Sequence, residues 1–127
     1  MNENAKKIID TKLDELSKSK FRSSFRLRRY MFSYIEEHGL DKIKEHAYEI
    51  VTKNIAPANP KNDGKQTPTK NHPVFMAQHA CACCCRSCLE KWHHIPKGKE
   101  LTKNEINYIV SLLMEWIARE MVKDNEI

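Results

Sequence analysis

All five cysteines of this chain, Cys81, Cys83, Cys84, Cys85 and Cys88, fall within eight consecutive residues, with His79 just before them and His93 and His94 just after. Thiols crowded this tightly cannot staple distant segments, because a disulfide has a demanding geometry and adjacent cysteines such as Cys83 to Cys85 are poorly placed to bridge one another. The odd cysteine count points the same way. The fold must therefore come from an ordinary buried core, and the Cys/His tract reads as a local site. Thiolates and imidazoles are the side chains that hold zinc, copper(I) and iron–sulfur clusters.

A core of that kind is available. The 127 residues, 40% hydrophobic and 31% charged, suit one compact domain over 1–127. No stretch approaches the roughly 18 apolar residues of a membrane span, so no membrane role is expected. The segment Met1 to Asp14 mixes charges and lacks the apolar h-region of a secretory signal. A reducing cytoplasm is then the expected location, where disulfides are rare.

Helical spacing of apolar residues recurs along the chain, and no strand pattern does. Ile8, Ile9, Leu13 and Leu16 predict a first helix within residues 1–17, at the periphery of the domain. A second is expected from Ser24 to His38, ended by Gly39, and a third from an Asp41 cap to Pro57. Residues 56–71, with Pro57, Pro60, Pro68 and the Asn62-Asp63-Gly64 turn, form a long basic loop. Thr102 and Glu105 make a capping box for the last helix, whose apolar face holds Ile106, Ile109, Val110, Leu113, Trp116 and Ile117. The expected fold class is all-α, a small single domain with the Cys/His segment between the third and last long helices.

Within that segment Cys85-x2-Cys88 is a chelating pair that His93 extends, as in the opening of a zinc knuckle. The knuckle's next cysteine is missing, since that position is Gly98, so the remaining ligand must lie upstream. The candidate ligands are His79, Cys84, Cys85, Cys88 and His93, with zinc as the expected ion and iron–sulfur or copper(I) as alternatives. Cys81 and Cys83 are the less suited thiols. A competing reading runs one helix from Pro73 to Ile95, in which Cys81, Cys84 or Cys85, and Cys88 are small buried hydrophobes. Redox or nucleophilic thiol chemistry is a third, with Arg86 and Lys91 able to favour thiolates.

The net charge of +5 is concentrated. Lys18, Lys20, Arg22, Arg26, Arg28 and Arg29 form an acid-free run with Phe21, Phe25 and Tyr30 interleaved, a candidate surface for nucleic acid or an acidic partner. Arg22, Arg26 and Arg29 share one face if the second helix extends back to Arg22. Lys65, after Gly64 in the loop, is a further candidate anion contact, although the full phosphate-binding loop pattern is absent. The ordinary alternative is a solvated cationic face.

The runs SKFRSSFRLRRY, APANPKNDGKQTP, HPVFMAQHA and CCRSCLEKWHHIPKGKELT resemble the small prokaryotic and phage proteins of domain-of-unknown-function family 4186, from about Lys18 to Trp116. The resemblance implies no activity. It implies that His72, His79, Cys84, Cys85, Arg86, Cys88, Trp92 and His93 match the family's central motif, together with the loop from Asn62 to Gln66. Cys81 and Cys83 depart from it, since the family carries threonine-like residues there, and this favours the smaller ligand set.

The function expected on these grounds is that of a small metal-binding helical protein with a structural zinc, contacting nucleic acid through the basic segment. The ion is expected to supply much of the folding free energy, on the order of 10 kcal/mol. The rival is a metal-dependent enzyme acting on an anionic substrate, with His72 or His79 working on water at an open coordination position. A thiol redox protein is the remaining alternative.

Overall fold

The computed structural model describes residues 2–125. Its helices are α1 (Glu3–Ser17), α2 (Lys20–Ser23), α3 (Arg29–His38), α4 (Leu40–Asn54), α5 (Pro73–Ala80), α6 (Arg86–His93) and α7 (Lys103–Asn125), and no strand occurs among the described residues. The all-α class is as expected. No helix among the described residues is long and apolar enough to cross a membrane.

The central element is α7, which packs against α1, α4 and α5. Thr102 and Glu105 close its N-terminus reciprocally: the Glu105 N–H donates to Thr102 Oγ1 at 3.1 Å and the Thr102 N–H to Glu105 Oε1 at 2.8 Å. Ile109, Val110, Leu112, Leu113 and Ile117 are buried on it, whereas Trp116 is only partly buried at the edge of the core. The expected peripheral helix α1 buries Ile9, Leu13 and Leu16 in the same contiguous core. Arg119 reaches back from α7 to Asp10 at 3.2 Å and Asp14 at 2.9 Å, a partly exposed link that adds little to the buried contacts of α1.

The expected second helix is corrected. Residues 24–38 are not one helix: α2 is a single turn capped by Ser19, the chain then runs without helix through Arg28, and α3 starts at Arg29. The break is held from outside. Glu120 of α7, 2% exposed, accepts from the Leu27 N–H at 3.0 Å and from Arg26 Nε at 3.0 Å. A buried carboxylate that takes a main-chain donor offers that donor a stronger partner than the next helical turn. Leu27 is thereby turned into the core.

The long loop after α4 is anchored by a second buried charge. Arg86, 1% exposed, donates through its guanidinium to the carbonyls of Ile55 at 3.3 Å, Pro57 at 2.8 Å, Pro96 at 2.9 Å and Lys99 at 2.8 Å. It ties the exit of α4 to the segment that precedes α7. The continuous helix considered for Pro73 to Ile95 is interrupted at Ala82, which has φ 57°, a left-handed conformation that a non-glycine residue adopts only under constraint.

Candidate metal centre

The interruption between α5 and α6 builds the site. At the end of α5 the Cys81 N–H still bonds the Ala77 carbonyl at 2.8 Å, and after the left-handed Ala82 the Cys83 N–H turns back to the Gln78 carbonyl at 2.8 Å. Gln78 Nε2 then donates to the Cys83 carbonyl at 3.2 Å, and Thr67 Oγ1 to the Cys84 carbonyl at 2.8 Å. Asp63 Oδ1 accepts from the Arg86 N–H at 3.1 Å and so holds the first residue of α6. The turn is fixed at each end by side chains that are not themselves sulfur ligands, the arrangement that orients ligands in metal sites.

These constraints sort the five cysteines, all of them free thiols. Cys81 and Cys83, fully buried, belong to the hydrophobic core. Burial pushes both thiols far above the usual range, as for small hydrophobes rather than reactive groups. Cys84, Cys85 and Cys88 face one another instead, with all three Sγ atoms within 4.8 Å. The Sγ of Cys88 lies 3.6 Å from that of Cys84 and 3.4 Å from that of Cys85. Sulfurs on a tetrahedral zinc with bonds of about 2.3 Å sit about 3.8 Å apart, so the group is already close to the edge length of one mononuclear site.

A guanidinium completes the centre. Arg22, from α2 and 7% exposed, donates to the His79 carbonyl at 2.8 Å and reaches the Sγ of Cys88 at 3.2 Å and of Cys84 at 3.7 Å. Sharing a proton with Cys88 and facing Arg22, the Cys84 thiol is held down at about 7, whereas its partner Cys88 is pushed up by the same shared proton and by burial. Burial raises Cys85. Burial also opposes the Arg22 charge, and its bonds to Cys88 and Cys84 more than offset this.

The remaining site expectations are distributed differently. His79 stays outside the sulfur group: its Nε2 faces the carbonyls of Thr67 at 3.0 Å and Pro68 at 3.1 Å, and its ring stacks on Phe25. His93 is also outside it, wedged between the Cys81 carbonyl at 2.8 Å from Nε2 and the Tyr108 hydroxyl at 2.8 Å from Nδ1. A carbonyl only accepts, so Nε2 carries the proton and Nδ1 takes the Tyr108 hydroxyl hydrogen. His72 caps α5, its Nδ1 accepting from the Val74 N–H at 3.0 Å, while its Nε2 lies 3.0 Å from His46 Nδ1. Arg22, Arg26 and Arg29 do not share a helix face, a correction that follows from the break between α2 and α3: Arg22 points into the thiols, Arg26 pairs with Glu120, and Arg29 is exposed. Lys65 is exposed on its loop.

Sequence reasoning assigned Arg22 to a nucleic-acid or anion surface and missed its place beside the thiols, because it sits in a basic run and carries no local mark of burial. It also missed that Arg86 is buried. No local signal marks it, since Glu90 four positions on offers Arg86 an ordinary surface partner.

A protein-family model described as domain of unknown function, DUF4186, matches residues 10–118. No solved structure matches the chain.

Proposed function

Because the chain belongs to the DUF4186 family, which brings no activity with it, its function rests on the site, and we propose that it is a small metal-binding protein in which Cys84, Cys85 and Cys88 hold one structural zinc. The observation that supports this most is the convergence of three sulfurs within 4.8 Å beside a buried guanidinium. Three thiolates and a divalent cation sum to one net negative charge, and Arg22 supplies the compensating positive one. The sulfur spacing suits a single ion better than a cluster, which spreads its thiolates over several irons.

The ion's contribution to stability is local on this reading. Its ligands span only Cys84 to Cys88, so it secures the turn between α5 and α6 and, through Arg22, the docking of α2. The helices share a contiguous apolar core that does not depend on the sulfurs of Cys84 and Cys85. Loss of zinc is therefore expected to loosen the centre without unfolding the helices, unlike a zinc-finger peptide.

The three-ligand count supports a second reading, a metal-dependent enzyme, because a tetrahedral ion would keep a fourth place for solvent or substrate. The imidazoles that such chemistry would use are committed elsewhere, His72 to the α5 cap and His79 to the carbonyls of Thr67 and Pro68. Elemental analysis of protein purified without added metal, followed by cobalt(II) absorption spectra, tests both readings. One equivalent of zinc is expected, lost in Cys84→Ser, Cys85→Ser and Cys88→Ser and kept in Cys81→Ser and Cys83→Ser. Full zinc retention in Cys88→Ser would overturn the ligand assignment. A cobalt spectrum that shifts on adding cyanide or azide would favour the open-position enzyme.

A further inference from the structure

With Arg22 drawn into the thiols and the exposed Arg26 bound to Glu120, the cations of the basic run that are exposed and left without such a partner are Lys18, Lys20, Arg28 and Arg29. None of them enters an ion pair among the described residues. Arg28 lines a cleft of about 500 Å³ together with Phe25, Arg26, Thr69 and Met76. This cleft lies between the non-helical segment after α2 and the loop before α5.

Contacts link the cleft lining to two exposed aromatic rings. Phe21, 60% exposed, meets Phe25 edge-on at 5.2 Å between centroids. Tyr30, 49% exposed, accepts through its hydroxyl from the Asn71 N–H at 3.0 Å, which brings it to the loop carrying Thr69 and the exposed Lys70. The α3 helix starts beside the cleft with Arg28 as its cap residue and no side-chain cap for its first N–H groups, adding positive potential there.

We propose that this surface binds single-stranded nucleic acid, with the phosphates along Arg28 and Lys70 and unpaired bases stacked on Phe21 and Tyr30. Large aromatic rings at the rim of a cationic cleft suit a ligand that carries both negative charge and exposed aromatic faces. A duplex would bring the charge but keep its bases stacked, and an acidic peptide would leave the rings unused. The proposal is independent of which ion, if any, the cysteines hold.

The test uses the full chain as purified and a fluorescein-labelled dT strand of about 12 nucleotides, within the span of one binding fold. Fluorescence anisotropy is read at two salt concentrations, with a uridine strand of equal length, the corresponding duplex, and a poly-glutamate peptide as comparisons. Single strands are expected to bind more tightly than the duplex and to resist the peptide. Phe21→Ala and Tyr30→Ala should each weaken binding by roughly 5- to 150-fold. Joint Arg28→Gln and Lys70→Gln substitution should flatten the slope of log K against log salt by about 1.4. Thermal melting accompanies each variant. If Tyr30→Ala melts below wild type, Phe21→Ala decides, because Phe21 is largely exposed and its removal leaves the core intact. Absence of single-strand binding at low salt, a preference for the duplex, displacement by the peptide at equal charge, or wild-type affinity in Phe21→Ala would each overturn the proposal.

Discussion

Replacing Arg22 with glutamine tests whether the guanidinium belongs to the metal centre. In the folded protein Arg22 lies 3.2 Å from the Cys88 Sγ and 3.7 Å from the Cys84 Sγ, with a 2.8 Å bond to the His79 carbonyl orienting it. Two unit charges about 4 Å apart interact by about 4 kcal/mol at an effective dielectric near 20. Here the negative charge of a zinc-loaded site is spread over three sulfurs, and a glutamine amide keeps a neutral donor. About 2 kcal/mol of that interaction should be lost, or about 30-fold in zinc affinity, inside the 10- to 100-fold range typical of groups that contact metal ligands. Arg22→Lys keeps the charge but cannot fork between the carbonyl and two sulfurs, so its affinity should fall between wild type and Arg22→Gln. Competition against a chromophoric chelator gives the affinity, and the cobalt(II) spectrum shows that the ligands themselves are unchanged. Zinc affinity equal to wild type in Arg22→Gln would refute the charge argument. A loss of fold without a change in affinity would reassign Arg22 to packing alone.

Two further outcomes follow from buried polar groups. Burial brings His93 down to about 4 and His72 likewise. An unfolded histidine takes up its proton near 6.5, so stability present above that value is lost as pH falls from about 6.5 toward 4. His93 alone accounts for about 2 kcal/mol at pH 5, and the more exposed His72 for less. Urea midpoints near pH 7 and pH 5 should show the drop in wild type and a flatter profile in His93→Phe; equal wild-type midpoints would contradict a neutral buried His93. Arg86→Met leaves the carbonyls of Ile55, Pro57, Pro96 and Lys99 without their donor and should cost about 3–5 kcal/mol by denaturant unfolding. A cost under about 1 kcal/mol would mean that the loop closes without it.

Periodicity and capping residues were sufficient to specify what depends on neighbours along the chain. The apolar spacing in α7 with its Thr102–Glu105 box, the stop at Gly39, and the proline-rich loop after α4 are local effects, and each stands in the structure near its expected place. Chemistry that depends only on residue type was legible too: the crowded thiols mark a candidate site. Which thiols converge was decided by the left-handed turn at Ala82, which sends Cys81 and Cys83 into the core and leaves Cys84, Cys85 and Cys88 facing one another. Helical spacing could not show that turn, since it depends on Gln78 and on Thr67 and Asp63, residues 11 or more positions upstream of Gln78. The basic run divided in the same way. Its charge was evident from composition, but whether an arginine faces solvent is set by what the fold places opposite it. Glu120 lies 94 positions from Arg26 and Cys88 lies 66 from Arg22, separations over which no periodicity carries information.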